Sequence, residues 1–272
     1  MIKDYAVEKQ AVHDFWNAAS CGEAQYLHGT ERAAYAEEAR MRYELEPYIP
    51  GFAGFQDTRD RDVLEIGVGL GADHLGFAQA GARLNGVDLT PRAIEHTVRR
   101  LEAFGLKSAL QTADAENLPF PDDRFDVVYS WGVLHHSPNT PKAIDEVWRV
   151  LRPGGSARIM VYHTHSFVGY MLWIRYALLA GRPGLTLAHI YAEHLESPGT
   201  KAYTVDEASA LFKRFGRVKI DTVLTHGDLL SSNAGQRHRG PLLRIARMIW
   251  PRRLIRALMP RHGLFLLAHA TK

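Results

Sequence analysis

The sequence predicts an α/β fold in which a mainly parallel sheet is wound on both faces by helices. Three observations support this prediction. Strand-like apolar runs alternate with helix-length segments between residues 62 and 162, the first such strand runs into a glycine-rich turn, and the second ends on an aspartate. Regular strand–helix alternation builds right-handed crossover units, which place successive strands side by side and parallel.

The first 58 residues predict a helical segment that precedes this sheet. Apolar residues recur there at helical spacing, as in Val12, Phe15 and Trp16, and Cys21-Gly22 interrupts the pattern. This indicates two helices, which the stretch from Pro47 to Gly54 should end. We therefore expect a helical lid at residues 1–58 and a main domain at residues 59–272.

The main domain should contain seven strands and at least five helices. A threonine N-cap followed by Pro91 supports the second of these helices, and Pro153-Gly154-Gly155 predicts a turn before the fifth strand. The predicted strands are 62–66, 83–88, 108–112, 125–130, 156–162, 218–225 and 264–270, and the predicted helices are 72–80, 91–104, 140–151, 166–180 and one that starts near residue 205. Between the last two helices, a loop that contains histidine and glycine is expected.

The turn after the first strand predicts a nucleotide site. Gly67, Gly69 and Gly71 permit strained backbone and let ligand atoms approach it closely. Asp88 ends the second strand about 20 residues later, where a carboxylate meets a ribose diol in such folds. The spacing Gly67-x-Gly69-x-x-Ala72 also fits a dinucleotide fingerprint, so the glycines alone predict only an adenosine-bearing ligand.

Asp114-Ala115 follows the third strand and bears on which ligand binds. The Asp114 carboxylate can accept a hydrogen bond from an adenine amino group while the neighbouring backbone meets the ring edge. A nicotinamide-binding fold does not need this acid. The later runs from Phe125 to His136 and from Glu146 to Gly155 complete an ordered series of motifs.

This series resembles the class I S-adenosylmethionine-dependent methyltransferases, particularly their small-molecule branch, which includes enzymes that methylate quinones and sterols. The resemblance covers about residues 60–162. It implies a Rossmann-like, doubly wound sheet of seven strands in which the last strand runs antiparallel. It also implies S-adenosylmethionine as the cofactor, S-adenosylhomocysteine as its product, and no metal.

The resemblance also implies a set of cofactor contacts. Glu65 would organise the glycine loop and the methionine amino group, Asp88 would bind both ribose hydroxyls, and Leu89 would pack on the adenine. Ser130 and Trp131 would contribute backbone near the methionine portion. The full implied set is Glu65, Gly67, Gly69, Gly71, Asp88, Leu89, Asp114, Ala115, Ser130 and Trp131.

Two histidines are the candidate catalytic residues. His135 and His136 follow the fourth strand, where the family opens its pocket toward the methyl acceptor, and a neutral imidazole can remove a hydroxyl proton. The alternative is that one orients the loop while the other packs or faces solvent. Aromatic residues predict either an apolar lid over the acceptor or ordinary core, and they are Tyr26, Tyr35, Tyr43, Phe167, Tyr170, Trp173 and Tyr176.

Composition limits the other possibilities. A single cysteine, Cys21, excludes an intramolecular disulfide and any multi-cysteine metal cluster within one chain. With no apolar leader at the N-terminus, we expect a cytoplasmic protein. The longest apolar segment, residues 167–181, contains Arg175 and is too short to span a bilayer.

The C-terminal part carries the positive charge. After Asp228 the chain has nine basic residues and no acidic one, although the net charge of the whole chain is only +3, so the preceding part is acidic. Residues 237–261 predict an amphipathic basic helix broken at Pro251. We favour a surface helix docked on the sheet over peripheral contact with anionic membrane, and we expect no nucleic-acid partner.

The sequence therefore predicts a methyltransferase that acts on a small, largely apolar acceptor, which can include an acidic group, with insertions at 163–205 and 227–262 shaping the acceptor side. Methylation at oxygen is slightly favoured over carbon or nitrogen. The rival hypotheses are an NAD(P)-dependent oxidoreductase on the same fold and a non-catalytic protein that binds S-adenosylmethionine. The sequence leaves the oligomeric state open.

Overall fold

The computed structural model describes residues 5–232 and 247–272. Within these ranges it contains one seven-stranded sheet with the strand order β3-β2-β1-β4-β5-β7-β6. The strands are β1 (Asp62–Ile66), β2 (Arg83–Asp88), β3 (Ala109–Thr112), β4 (Phe125–Trp131), β5 (Leu151–Tyr162), β6 (Arg217–Val223) and β7 (Phe265–Thr271). Strands β1 to β5 pair in parallel, and β7 pairs antiparallel with both β5 and β6. The predicted fold class, including the antiparallel last strand, is confirmed.

The helices divide into an N-terminal group, a group that alternates with the strands, and an acceptor-side group. In chain order they are α1 (Tyr5–Ala18), α2 (Glu23–Tyr26), α3 (Arg32–Leu45), α4 (Ile49–Ala53), α5 (Ala72–Ala80), α6 (Pro91–Ala103), α7 (Thr140–Val150), α8 (Phe167–Trp173), α9 (Leu187–His194), α10 (Val205–Leu211) and α11 (Arg252–Leu258). Short 3₁₀ turns occupy Phe55–Thr58, Leu134–His136 and Pro260–His262, and a π-helical turn, Ile174–Leu178, continues α8.

Local capping explains where several helices begin. The Thr90 side chain accepts a hydrogen bond from the Ala93 amide at 3.4 Å, and Pro91 occupies the first turn of α6. Thr204 and Glu207 form a reciprocal capping box at the start of α10. These side chains satisfy backbone N–H groups that have no partner within the helix, so helix starts are readable from short stretches of sequence.

Two hydrophobic cores lie on opposite faces of the sheet. Along β4, Val128 belongs to one core, while Val127 and Tyr129 belong to the other. The first core includes Ile144 of α7, and the second includes Phe77 of α5. Because successive side chains of a strand point to opposite faces, helices must cover both sides, as the predicted double winding requires.

Four predicted elements need correction. Residues Pro47–Gly54 do not simply end the helices, because α4 forms within them and packs Phe52 against the sheet. Gly154, at a φ of 79°, belongs to a bulge inside β5 rather than to a turn before it. The helix expected to reach residue 180 changes to a π turn at Ile174. The expected loop before α10 contains α9, which buries Ile190 and Tyr191.

The C-terminal basic segment is only partly described. Residues 237–246 of the predicted amphipathic helix lie outside the described residues. The expected break at Pro251 is present, because α11 begins immediately after it at Arg252. Of the helices in the described ranges, none combines the length and apolar character needed to cross a membrane.

Candidate functional site

A cavity of about 1260 Å³ opens at the carboxyl edge of the parallel strands. The ends of β1, β2, β4 and β5 contribute Ile66, Asp88, Trp131 and Tyr162 to its wall. Helices α1 to α3 and α8 close the opposite side. Ligands bind at this edge in open α/β sheets, because the loops that follow the strands converge there.

The glycine loop forms one end of the cavity. Gly67, Gly69 and Gly71 have φ angles of 83°, 53° and 78°. A Cβ atom at Gly67 would lie 2.1 Å from Val133 Cγ2, and one at Gly71 would lie 2.8 Å from Thr97 Oγ1, whereas one at Gly69 would meet no protein atom within 4 Å. The first and third glycines are therefore required by the protein itself, while Gly69 keeps the cavity wall open.

A buried, hydrogen-bonded pair of side chains, Glu65 and His74, supports the glycine loop. Glu65 at the end of β1 lies 2.8 Å from His74 Nδ1, and His74 Nε2 lies 2.7 Å from Ser108 Oγ. Burial raises the pKa of Glu65 well above its usual range, and burial lowers the pKa of His74 to about 3. A neutral hydrogen-bonded pair results, and the helix α5 that follows the glycines is held to β1.

Asp73 anchors the N-terminal helices to the loop. Its carboxylate accepts hydrogen bonds from Arg42 Nη2 at 2.7 Å, Tyr43 Oη at 3.1 Å and Tyr129 Oη at 2.9 Å. Arg42 and Asp73 both line the cavity beside Glu65. Sequence reasoning missed Arg42 and Asp73, since nothing local marks an arginine of α3 as a neighbour of the glycine loop.

Asp88 lies where the sequence places it, at the end of β2 and in the cavity wall. Its Oδ1 accepts hydrogen bonds from the backbone and hydroxyl of Thr90, both at 2.9 Å, and its Oδ2 accepts one from the Gly69 amide at 3.2 Å. Burial raises the pKa of Asp88 above its usual value. These bonds hold the carboxylate across from the glycine turn, and Leu89 lines the cavity next to it.

Asp114 and Ala115 line the same cavity, and a residue of α1 covers this part of it. Lys9 Nζ lies 2.6 Å from Asp114 Oδ2 and 3.0 Å from Glu116 Oε2. Glu116 is further fixed by Ser137 Oγ at 2.6 Å. Lys9 and Glu116 were not predicted, because only the folded chain brings α1 against the loop after β3.

The end of β4 differs from the prediction at one position. Trp131 lines the cavity, but Ser130 is fully buried, outside the lining, and its hydroxyl donates to the Ile66 carbonyl at 2.9 Å. Glu46, which directly follows α3, interacts with the Trp131 side chain. Burial raises the pKa of Glu46 to about 7, so this cavity carboxyl changes its charge near neutral pH.

The two candidate histidines separate clearly. His136 lines the cavity, whereas His135 is fully buried and lies outside the lining. The centroid of the His135 ring lies 4.0 Å from the centroid of the Tyr162 ring. Burial lowers the pKa of His135 well below its usual value. As placed, His135 has no access to an acceptor in the cavity. Glu196, which lies 3.3 Å from His136 Nε2, also lines the cavity and was not predicted.

Most of the aromatic residues that were expected to form a lid do not line the cavity. Tyr26 lines the cavity, but Tyr35 is fully buried under the Arg100 guanidinium, and Tyr43 faces Asp73. In the 166–180 segment the lining face consists of Val168, Met171, Leu172, Ile174, Arg175 and Leu179. Helical periodicity puts the aromatic residues Phe167, Tyr170, Trp173 and Tyr176 on the other sides of this segment.

A family comparison agrees with this geometry. Residues 64–159 match the model of a methyltransferase domain. The matched region begins in β1 and ends in β5, and it contains the glycine loop, Asp88, Asp114 and both candidate histidines. The predicted resemblance to class I methyltransferases is confirmed.

Individual relatives extend the match beyond this domain. The chain is 35% identical over 156 residues to an uncharacterized protein of Mycobacterium tuberculosis, covering 55% of this chain and 56% of the relative. It is 29% identical over 163 residues to a demethylmenaquinone methyltransferase of Tropheryma whipplei, covering 58% and 67%. The first relatives are thus matched over only a little more than half of their length.

One solved structure shows how far the fold is shared. A phosphoethanolamine N-methyltransferase of Haemonchus contortus, crystallised with phosphomonomethylethanolamine and S-adenosylhomocysteine, superposes with a TM-score of 0.55. The superposition covers 84% of this chain and 52% of that protein at 16% identity. At this identity the likeness concerns the fold alone.

Proposed function

We propose that the chain transfers a methyl group from S-adenosylmethionine to a small, largely apolar acceptor. The observation that carries the proposal is that the glycine loop, Asp88 and Asp114 meet in one cavity, which continues beyond Trp131 into apolar space. The matched methyltransferase domain contains all of these residues. When bound, the cofactor supplies an electrophilic methyl group on a sulfonium.

The residues of the first half of the cavity fit this cofactor. Asp88 lies opposite Gly69, where its carboxylate would bind the ribose hydroxyls, and Leu89 would pack on the adenine. Asp114 and Ala115 would bind the adenine edge. Glu65 and Arg42 would face the methionine amino and carboxylate groups, because both line the cavity beside the glycine loop. The Arg42 guanidinium there complements the carboxylate of an amino acid, and the Glu65 carboxyl can accept a hydrogen bond from its amino group.

The second half of the cavity would hold the acceptor. Met160, Met171, Leu172 and Phe265 give it an apolar wall, and His136, Glu196 and Tyr162 add a polar patch. Transfer requires the acceptor atom in line behind the methyl group, and holding reactants in this way lowers the barrier by roughly 7–11 kcal/mol. We infer an oxygen acceptor, because the polar patch offers groups that can orient and deprotonate a hydroxyl.

The segments outside the common core would select the acceptor. Residues 1–58 supply Lys9, Trp16, Cys21 and Arg42 to the cavity wall, which supports their assignment as a lid over a main domain at 59–272. The insertion at 163–205 supplies the lining face of α8. Residues from 227–262 add Leu230 and Trp250. We infer a partner that is a small molecule rather than a nucleic acid.

A binding experiment tests the cofactor. Titration calorimetry should show saturable binding of S-adenosylhomocysteine and none of NAD⁺ or NADPH. The opposite pattern would make the chain an oxidoreductase on the same fold. Incubation with isotopically labelled methyl donor and extracts of the source cells should then label a small product. Cofactor binding without labelling of any extract component would favour a non-catalytic binding protein.

Substitution of Asp88 tests the placement of the ribose. Asp88→Ala should weaken S-adenosylhomocysteine binding at least tenfold, because hydrogen bonds to a charged group contribute about 1.5–3 kcal/mol each. Calorimetric titration measures the change. Asp206→Ala, on α10 and outside the cavity, is the matched control and should bind as the wild type does. Unchanged affinity in Asp88→Ala would remove this carboxylate from the site.

A further inference from the structure

Three metal-ligating side chains converge at the polar patch of the acceptor cavity, and one of them, His135, lies just outside the cavity lining. One ring nitrogen of His135, one of His136 and a carboxylate oxygen of Glu196 all lie within 4.8 Å of one another. Both histidines are at least 95% buried, with exposed fractions of 0% and 5%. Two imidazoles and one carboxylate form the ligand set of several catalytic zinc sites and of mononuclear iron sites.

The hydrogen bonds around His136 indicate which nitrogen carries its proton. Thr200 Oγ1 donates to the Ser197 carbonyl at 2.7 Å, and it also lies 3.1 Å from His136 Nδ1. Because the Thr200 hydroxyl already donates its proton to the carbonyl, it can only accept a hydrogen bond from His136 Nδ1–H. Ser197 Oγ, 2.8 Å from the same nitrogen, can share that proton. The neutral ring therefore has its lone pair on Nε2.

That lone pair faces another acceptor. His136 Nε2 lies 3.3 Å from Glu196 Oε2, and Tyr162 Oη donates to the same carboxylate oxygen at 2.7 Å. His136 Nε2 has no hydrogen-bond partner, and neither ring nitrogen of the buried His135 has one among the described residues. A buried polar atom without a partner costs about 1–3 kcal/mol. A cation between these three groups would satisfy all of them.

We propose that His135, His136 and Glu196 bind a divalent transition-metal ion, of which Zn²⁺ is the best match. Bonds of about 2.0–2.2 Å in tetrahedral arrangement put ligand atoms about 3.4 Å apart, close to the present separation of His136 and Glu196. Ser197, Thr200 and Tyr162 then serve as the outer hydrogen-bond partners that orient metal ligands. The ion would bring the fully buried His135 into the function of the cavity.

The location gives this ion a specific role. His136, Glu196 and Tyr162 line the cavity, so the fourth coordination position faces the space assigned to the acceptor. An oxygen bound there becomes more acidic, because the cation stabilises its deprotonated form. The ligand class is therefore an acceptor with a hydroxyl or enol oxygen. Occupancy of the metal site can be measured without any methyl transfer, so it is tested separately from the proposed function.

Metal binding by the untagged full chain tests this proposal. After chelator treatment and dialysis, Zn²⁺ should bind saturably with one equivalent by calorimetry, and Co²⁺ should give the visible absorption of a tetrahedral site. Zn²⁺ should also raise the thermal unfolding temperature, because a ligand of the native state stabilises it. If Zn²⁺ does not bind saturably to the wild type, the proposal is wrong.

Variants identify the ligands. His136→Ala and Glu196→Gln should abolish the saturable phase, His135→Asn should do the same, and Ser197→Ala should weaken binding by about tenfold through its outer contact. Circular dichroism verifies that each variant is folded. Cys21→Ser, in the same cavity, and His189→Ala, exposed on α9, are controls that should bind like the wild type. Loss of binding in either control would overturn the assigned ligand set.

Discussion

The two ends of the cavity differ in how their structure is specified. At the glycine-loop end, β1, α5 and β2 have the predicted bounds, and the site residues follow one another within 51 positions, from Glu65 to Ala115. At the acceptor end, α1, α8 and the residues that follow α9 contribute side chains from segments that are far apart in the chain. The first end depends on local backbone requirements, and the second depends on long-range packing.

The largest expected effect is a difference in stability between alanine substitutions at two glycines of the same loop. Gly67→Ala should lower the free energy of unfolding by about 3 kcal/mol, since it combines a left-handed backbone with a clash against the stiff Val133 side chain. Gly69→Ala should lower it by only about 1 kcal/mol, because nothing opposes its Cβ except backbone strain. Urea unfolding measures both changes.

Gly69→Ala should have a larger effect on cofactor binding than on stability. Its added methyl group projects into the cavity, so S-adenosylhomocysteine binding should fall at least about tenfold, equivalent to about 1.4 kcal/mol, although the fold is nearly intact. Gly154→Ala, which is left-handed but lies in the β5 bulge, is the matched control for strain and should not affect binding. Equal stability losses at Gly67 and Gly69 would contradict the distinction between a glycine required by the protein and one required by the ligand.

This contrast explains how much of the site could be read from the sequence. A glycine with positive φ, a threonine cap before Pro91 and a strand-ending aspartate are each determined by their immediate neighbours. Glu196 has no such local signal, because it is a helix-flanking carboxylate 60 positions from His136. The aromatic residues of α8 predicted a lid because of their number, yet the helix presents its aliphatic residues to the cavity.

The second prediction concerns the ion pair that joins the two ends. Lys9→Met should speed the release of S-adenosylhomocysteine about threefold to fivefold, because a partly exposed ion pair contributes up to about 1 kcal/mol and this one fastens α1 over Asp114. Stopped-flow displacement measures the rate. Lys213→Met, at an exposed position just after α10, should leave the rate unchanged. Slower release would instead show that Lys9 competes with the adenine for Asp114.

The smallest expected effect is a pH dependence at the boundary between the two ends. Glu46 lines the cavity beside Trp131, and burial raises its pKa to about 7. It is mostly neutral at pH 6 and mostly ionised at pH 8. S-adenosylmethionine carries a positive sulfonium that S-adenosylhomocysteine lacks. Ionised Glu46 should attract this sulfonium across the cavity. A rise from pH 6 to pH 8 should therefore strengthen S-adenosylmethionine binding relative to S-adenosylhomocysteine binding by about threefold.

The ratio of the two dissociation constants, measured by calorimetry at pH 6 and pH 8, isolates this attraction, because effects common to both ligands cancel. Glu46→Gln should make the ratio independent of pH, while Glu44→Gln, an exposed carboxylate two positions away that pairs with Arg40, should retain the dependence. A ratio that still changes in Glu46→Gln would assign the charge to another cavity group. A loss of the dependence would place the Glu46 side chain close enough to the sulfonium to sense its charge.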